Sequence, residues 1–263
     1  MRLYLIRHGQ TESNVNHVLD TAHPGAPLNR TGLAQAEALA DRLADAAIEA
    51  VYASDLTRAV QTATPLATRR GLGVRQLPEL REIPAGVEEL TTDWTRYVST
   101  LARWVTEPHF KLDDGEDAHS FFARYDAAVA QIADSHEVAA AVSHGAAMRV
   151  WVPHRAGNVE RPSTRVLANT DVILLEGSAT RGFGPNPQHH GHDRIARIGR
   201  RSAIAGGQQD QRIDPLRVAA GKGAGNAIAI GVSDQHYSPR NPLRIERRRQ
   251  IACVVEQARA HGR

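Results

Sequence analysis

Leu3-Tyr4-Leu5-Ile6-Arg7-His8-Gly9-Gln10-Thr11-Glu12-Ser13-Asn14 is the stretch that decides how this chain is read. An apolar run that ends in Arg-His-Gly predicts a buried strand delivering a cation, an imidazole and a tight turn to the carboxyl edge of a sheet. Open α/β folds bind their ligands at that edge. A neutral imidazole is a good nucleophile toward phosphorus, and a neighbouring guanidinium neutralises phosphate oxygens as they are approached. Gly9 is expected to let the backbone turn closely around the ring, and the Asn14 amide to donate a further hydrogen bond to an anion. By itself, a histidine at a strand end is ordinarily a structural side chain, so the rest of the chain has to decide.

Three later segments supply what the first one lacks. Val51-Tyr52-Ala53-Ser54-Asp55-Leu56-Thr57-Arg58 reads as a short strand, an N-cap at Ser54 or Asp55, and a helix with Arg58 in its first turn, facing the strand ends. Val138 to Gly145 is a second buried strand that again ends in His-Gly, with His144 leading into a helix from Ala146. Glu82 follows the strand-like Val74 to Leu77 and is the available carboxylate; alone, it would read as a surface pair with Arg81. Helical periodicity runs from about 31 to 46, with Thr31 as N-cap and Leu33, Ala36, Ala40, Leu43 and Ala44 as the apolar stripe. It recurs near 54–69, 93–105 and 117–134. Strand patterns fall at 2–6, 50–53, 74–77, 138–143 and 171–176. This alternation predicts an α/β fold of three layers, a mainly parallel sheet with helices on both faces. The aromatics Trp94, Tyr97, Trp104, Phe110, Phe121 and Phe122 are read mostly as core.

With these segments in view, the chain resembles the histidine phosphatase superfamily, the phosphoglycerate mutase-like fold, and its phosphatase branch in particular. The resemblance covers about residues 1–178 and rests on linked signatures: LIRHGQTESN, LNRTGLAQA, YASDLTRAVQTA, LREI, VSHG and LANTDVILLEG. It implies His8 as phosphoryl acceptor, Glu82 as proton donor, Arg7, Arg58 and His144 as the phosphate pocket, and Asn14 as an auxiliary phosphate donor. The implied reaction is metal-independent hydrolysis of a small-molecule phosphomonoester through a phosphohistidine, with no cofactor. Two guanidinium groups and a protonated His144 would neutralise the phosphate. His8 must start neutral, with its other ring nitrogen held by a carbonyl-type acceptor. A homodimer is compatible with this reading.

Two alternatives stand beside it. A cofactor-dependent phosphoglycerate mutase would share every core residue. Against it, the interval from Glu82 to His144 is short, and Ile83 to Thr92 lacks the basic cluster needed to hold a doubly phosphorylated cofactor. Glu88, Glu89 and Asp93 would repel a polyanion. The other alternative is a non-catalytic scaffold whose tail binds an acidic partner, and the retention of both nucleophile and acid argues against that. The loops 15–27 and 84–120 are expected to select the substrate.

The charge divides the chain. Residues 1–180 carry 17 Lys and Arg against 23 Asp and Glu, whereas residues 181–263 carry 15 against 6. The expected division is therefore a histidine phosphatase domain over 1–178 and a basic tail of low periodicity over 179–263, irregular or disordered, lacking the further edge strand of the family. Two origins fit the abrupt change: a lineage-specific tail, or a shifted coding frame near Ala179, which in a G+C-rich gene enriches Arg, Gly, Ala, Pro and His. His189, His190 and His192 have no Cys or acidic companions at ligand spacing, so no metal site is expected. The basic run lacks aromatic interleaving, which argues against nucleic acid. Cys253 is the single cysteine, no signal-peptide run precedes the first strand, and no apolar run approaches membrane-spanning length. A cytoplasmic protein with no membrane association is the resulting expectation.

Overall fold

The computed structural model describes residues 1–155, 167–178 and the backbone of 182–184. Its centre is a six-stranded sheet in the order β3-β2-β4-β1-β5-β6. The strands are β1 (Arg2–Arg7), β2 (Ala50–Ala53), β3 (Val74–Gln76), β4 (Val138–Ser143), β5 (Val172–Ser178) and β6 (Gly182–Gly184). The first four run parallel, β5 is antiparallel to β1, and β6 is antiparallel to β5. The helices are α1 (Glu12–Val15), α2 (Arg30–Arg42), α3 (Thr57–Arg69), α4 (Thr95–Arg103), α5 (Ala118–Ser135) and α6 (Gly145–Arg155).

Period-two alternation along the strands builds one core on each face of the sheet. Leu3 and Leu5 of β1, Ala50 and Tyr52 of β2, and Ala139 and Ala141 of β4 point to the face covered by α4, α5 and α6. Tyr4, Ile6, Val51, Ala53, Ala140 and Val142 point to the opposite face, covered by α2 and α3. Both faces are apolar, so these strands read as continuous hydrophobic runs, as parallel strands buried on both sides do. Tyr97, Trp104, Phe121 and Phe122 are buried in the first core, as the aromatic pattern predicts.

Some local expectations are corrected. The N-cap of α2 is Asn29, whose side chain accepts from Gly32 N, and not Thr31. The buried face of that helix is Gly32, Ala36, Leu39 and Ala40, with Leu43 just beyond its end; Leu33 and Ala44 lie outside it, Leu33 being half exposed. At α3 neither Ser54 nor Asp55 caps. Leu56 occupies that position with no side-chain cap, because the Asp55 carboxylate is held by Arg81 and the Ser54 hydroxyl faces His144. The chain also continues past Ser178 into the short edge strand β6, which the loss of periodicity concealed. The remainder of the basic tail, with His189, His190, His192 and Cys253, lies outside the described residues. No helix among the described residues is long and apolar enough to cross a membrane.

Candidate active site

Strand β1 delivers His8 to the carboxyl edge of the sheet. The His8 backbone N–H donates to Ser143 O at the end of β4 (3.0 Å), so the two His-Gly turns emerge side by side. The rings of His8 and His144 stand 5.2 Å apart between centroids. His8 Nδ1 lies 2.7 Å from Gly9 O, which supplies the carbonyl acceptor that the sequence left unnamed. That contact places the proton on Nδ1 and leaves the lone pair on Nε2, where Arg58 Nε donates from 3.2 Å. Burial, followed by the charges of Arg58 and Arg7, holds the His8 pKa well below the usual histidine value. The imidazole is neutral and its nucleophilic nitrogen faces a cation.

The signature segments interlock around this turn. Gly9 is required by packing and not by the ring: a Cβ there would lie 2.8 Å from Gly32 O and 3.2 Å from the Leu28 side chain. The loop thus sits backbone to backbone on the start of α2. Asn29 N donates to Gln10 O (3.0 Å), Asn29 Nδ2 to Gln10 Oε1 (3.0 Å), and Gln10 N to Gln35 Oε1 (2.9 Å). From α3, Thr62 Oγ1 accepts from Gly9 N (2.9 Å) and donates to Arg58 O (2.7 Å). From the turn before β5, Asn169 Nδ2 donates to His8 O (3.0 Å) and to Asn14 Oδ1 (3.2 Å). Asn14 Oδ1 also accepts from Thr11 N in a capping box at α1. Both contacts use the Asn14 oxygen, so an anion contact would fall to its Nδ2 donors.

Arg7, Arg58 and His144 complete a cationic, donor-rich pocket. Arg58 is 3% exposed and His144 fully buried. Arg7 Nε, Arg58 Nη1 and His144 Nδ1 are buried without a hydrogen-bond acceptor. Buried donors are ordinarily satisfied, and these three atoms sit on the residues that the resemblance assigns to the phosphate pocket. Burial lowers the pKa of both guanidinium groups, and the Asp20, Glu82 and Glu89 carboxylates counter this at Arg58, yet an arginine stays protonated in a protein. His144 differs from its expected state. Burial first, then the charge of Arg58, competition with the His8 ring for a proton, and the charges of Arg124 and Arg7, pushes its pKa well below the ordinary value, so it is neutral and not a third cation. Its Nε2 lies 2.8 Å from Ser54 Oγ, which also accepts from Leu56 N. If Ser54 donates its proton to Nε2, the Nδ1 of a neutral ring carries hydrogen and can still serve an anion.

Glu82 is held at the first turn of α6. Its carboxylate accepts from Ala146 N (3.0 Å), Ala147 N (2.7 Å) and its neighbour Ile83 N (3.0 Å). The surface pair with Arg81 does not form, since Arg81 is bound to Asp55. The acidic loop is likewise partly committed. Glu89 accepts from Thr21 N, Thr21 Oγ1 and Ala22 N, fastening loop 15–27, while Glu88 pairs with Arg96.

The structure therefore brings Arg7, His8, Asn14, Arg58, Glu82 and His144 to one sheet edge. It also adds residues that sequence reasoning missed. Asp20, 9% exposed, sits 3.6 Å from Arg58 Nη1, while its backbone oxygen accepts from Arg58 Nη2 (2.8 Å). Its carboxylate also accepts from Ser13 Oγ and Ala26 N. Ser54, Thr62 and Asn169 are the others; all three lie inside the quoted signatures, but Ser54 reads there as a helix cap and the other two have no chemistry that marks them. No group of three or more His, Cys, Asp or Glu side chains gathers as a metal site among the described residues.

The model of the histidine phosphatase superfamily (branch 1) matches residues 3–182. The chain belongs to that superfamily. The family match runs past Ser178 and ends at Gly182, the first residue of β6. An adenosylcobalamin/alpha-ribazole phosphatase of Escherichia coli is 31% identical over 141 residues, 51% of this chain and 68% of that protein. A probable phosphoglycerate mutase of Enterobacter is 31% identical over 156 residues, 56% of this chain and 71% of that protein. Among solved structures, a mycobacterial glucosyl-3-phosphoglycerate phosphatase in complex with VO3 aligns with a TM-score of 0.57 at 26% identity, covering 67% of this chain and 91% of that one. Three Mycobacterium tuberculosis relatives match at 45–46% identity, and of these the chain spans only 15–40% of their length.

Proposed function

We propose that this histidine phosphatase family member hydrolyses small-molecule phosphomonoesters through a phosphohistidine on His8. The observation that carries the proposal is the neutral, Nδ1-protonated His8 set beside three buried donors without acceptors. A phosphoryl dianion supplies what those donors lack, while the Nε2 lone pair supplies the attack.

In the first step His8 Nε2 bonds to phosphorus as the ester P–O bond breaks in line, and the Glu82 carboxyl gives its proton to the leaving oxygen. The alcohol departs. The ring, now bonded at Nε2 and still protonated at Nδ1, is stabilised by the Gly9 carbonyl. In the second step Glu82 takes a proton from water, whose oxygen bonds to phosphorus as the P–N bond breaks. This restores neutral His8 and protonated Glu82 and releases inorganic phosphate. Arg7, Arg58, Asn14 and the Nδ1–H of His144 bind the equatorial oxygens throughout, so the two guanidinium groups carry the charge neutralisation that a metal ion supplies elsewhere. A homodimer and a separate basic tail beyond the domain remain compatible with this reading.

The mutase alternative needs cations to hold a second phosphate. Ile83 to Thr92 contains no Lys or Arg, and its two glutamates are engaged as described. The test is a panel of phosphomonoesters assayed with and without 2,3-bisphosphoglycerate, together with labelling by a phosphorylated substrate. Base-stable, acid-labile labelling that disappears in His8→Ala, with turnover reduced by several powers of ten, is the expected result. Acid-stable labelling of His8→Ala refutes the assignment, and activity that depends on the bisphosphate favours the mutase.

A further inference from the structure

The segment that carries Glu82 has a support of its own. From Glu79, inside the short 3-10 turn Pro78–Leu80, to Ile83, the main-chain carbonyls have no strand partner among the described residues. Five consecutive carbonyls are instead satisfied by side chains from three other elements. Arg124 Nη1, from α5, donates to Glu79 O (2.6 Å) and Arg81 O (2.9 Å), and Arg124 Nη2 donates to Glu82 O (3.2 Å). Ser143 Oγ at the end of β4 donates to Leu80 O (2.9 Å), and Tyr97 OH of α4 donates to Ile83 O (2.9 Å). The remaining Arg124 donors go to Glu116: Nε to Oε2 at 2.9 Å, and Nη2 to Oε1. A guanidinium has five N–H donors in a fixed plane, and here all five are engaged.

We propose that Arg124, anchored by Glu116, is a positioning residue for Glu82, holding the 79–82 backbone so that the carboxyl stands where it can exchange a proton with the leaving oxygen. The inference rests on the reading of Glu82 as general acid. Arg124 is argued to act through Glu82 and not on the phosphate, since its donors are spent on carbonyls and Glu116. Proton transfer needs hydrogen-bond geometry in the transition state, and a displacement of about 1 Å can cost on the order of a hundredfold. Lysine keeps the charge but has three donors and no plane, so it cannot serve three carbonyls and a carboxylate together.

The experiment uses the full chain, wild type against Arg124→Lys, Glu82→Gln and the double variant, on p-nitrophenyl, phenyl and alkyl phosphates of rising leaving-group pKa. Arg124→Lys is expected to lose roughly ten- to a hundredfold in kcat/KM, which covers only the steps through departure of the alcohol, on alkyl phosphates and less than about threefold on p-nitrophenyl phosphate, because only poor leaving groups need the proton. KM and inhibition by inorganic phosphate should stay within about twofold, and the double variant should be no slower than Glu82→Gln alone. An equal loss on every ester, a change confined to KM, or additive losses overturns the proposal. If Glu82→Gln shows the selective loss and Arg124→Lys does not, the role of Arg124 alone is refuted. If Glu82→Gln itself loses activity equally on all esters, the acid assignment fails and the inference with it. Should Arg124→Lys fold poorly by thermal melting, Tyr97→Phe removes only the donor to Ile83 O and enters the same assay; a leaving-group-selective loss supports the clamp, and a uniform one or none overturns it.

Discussion

Two neutral histidines buried in one pocket make this domain sensitive to mild acid in a calculable way. Burial holds the pKa of His8 and His144 well below the usual value, so below about pH 6.5 the unfolded chain binds two protons that the folded chain refuses. The stability these rings confer is complete above the unfolded pKa and drains away as the pH falls toward the folded pKa. For a histidine that stays neutral in the fold, the loss relative to neutral pH is RT ln(1 + 10^(6.5 − pH)), about 1.4 kcal/mol at pH 5.5 against less than about 0.1 at pH 7.5. Two such rings give about 2.7 kcal/mol between those pH values, a large part of a typical domain's stability. Urea unfolding followed by tryptophan fluorescence, in phosphate-free buffer at both pH values, measures the difference. The same measurement on a His8→Gln, His144→Gln double variant removes the contribution of these rings while keeping that of all other groups. The wild type should lose about 2.7 kcal/mol more than the variant. Equal losses in the two proteins would mean that the rings are charged in the fold and that the neutral state assigned to His8 and His144 is wrong.

Asp20 and the tail allow two further tests. Asp20→Ala removes the carboxylate beside buried Arg58 and the acceptor of Ser13 Oγ and Ala26 N, so it should destabilise the domain by about 3 kcal/mol, as breaking a buried pair does. Orthovanadate or phosphate should raise the thermal midpoint of that variant by more than it raises the wild type's, and equal shifts would argue against Asp20 as the partner of Arg58. A chain ended after Pro185 retains β6 and every proposed site residue, from Arg7 to Asn169, so it is expected to keep acid-labile labelling of His8 and its turnover. Loss of labelling would place a required contact in the basic tail.

Residues whose role follows from local chemistry were legible in the chain itself. His8 and His144 could be read because an apolar run of strand length ending in His-Gly specifies both a buried strand and the residue at its exit. The alternation of strand segments with helical segments specified a mainly parallel sheet with two covered faces, and Glu82, Arg58 and Asn14 followed from the linked signatures. What the chain could not announce was set by contacts between residues distant in sequence. Ser54 and Asp55 look like helix caps, but His144 and Arg81 claim their oxygens, so the backbone of α3 starts without one. Gly9 looks like room for a ring and is in fact room for Gly32. His144 looks like a cation, but burial beside two guanidinium groups costs an imidazolium more than any local feature reveals. Nothing in the sequence singles out Arg124; only the fold brings the carbonyls of Glu79, Arg81 and Glu82 to its side chain. Protonation states and buried hydrogen-bond partners depend on desolvation and on which elements meet, and those are properties of the packed molecule.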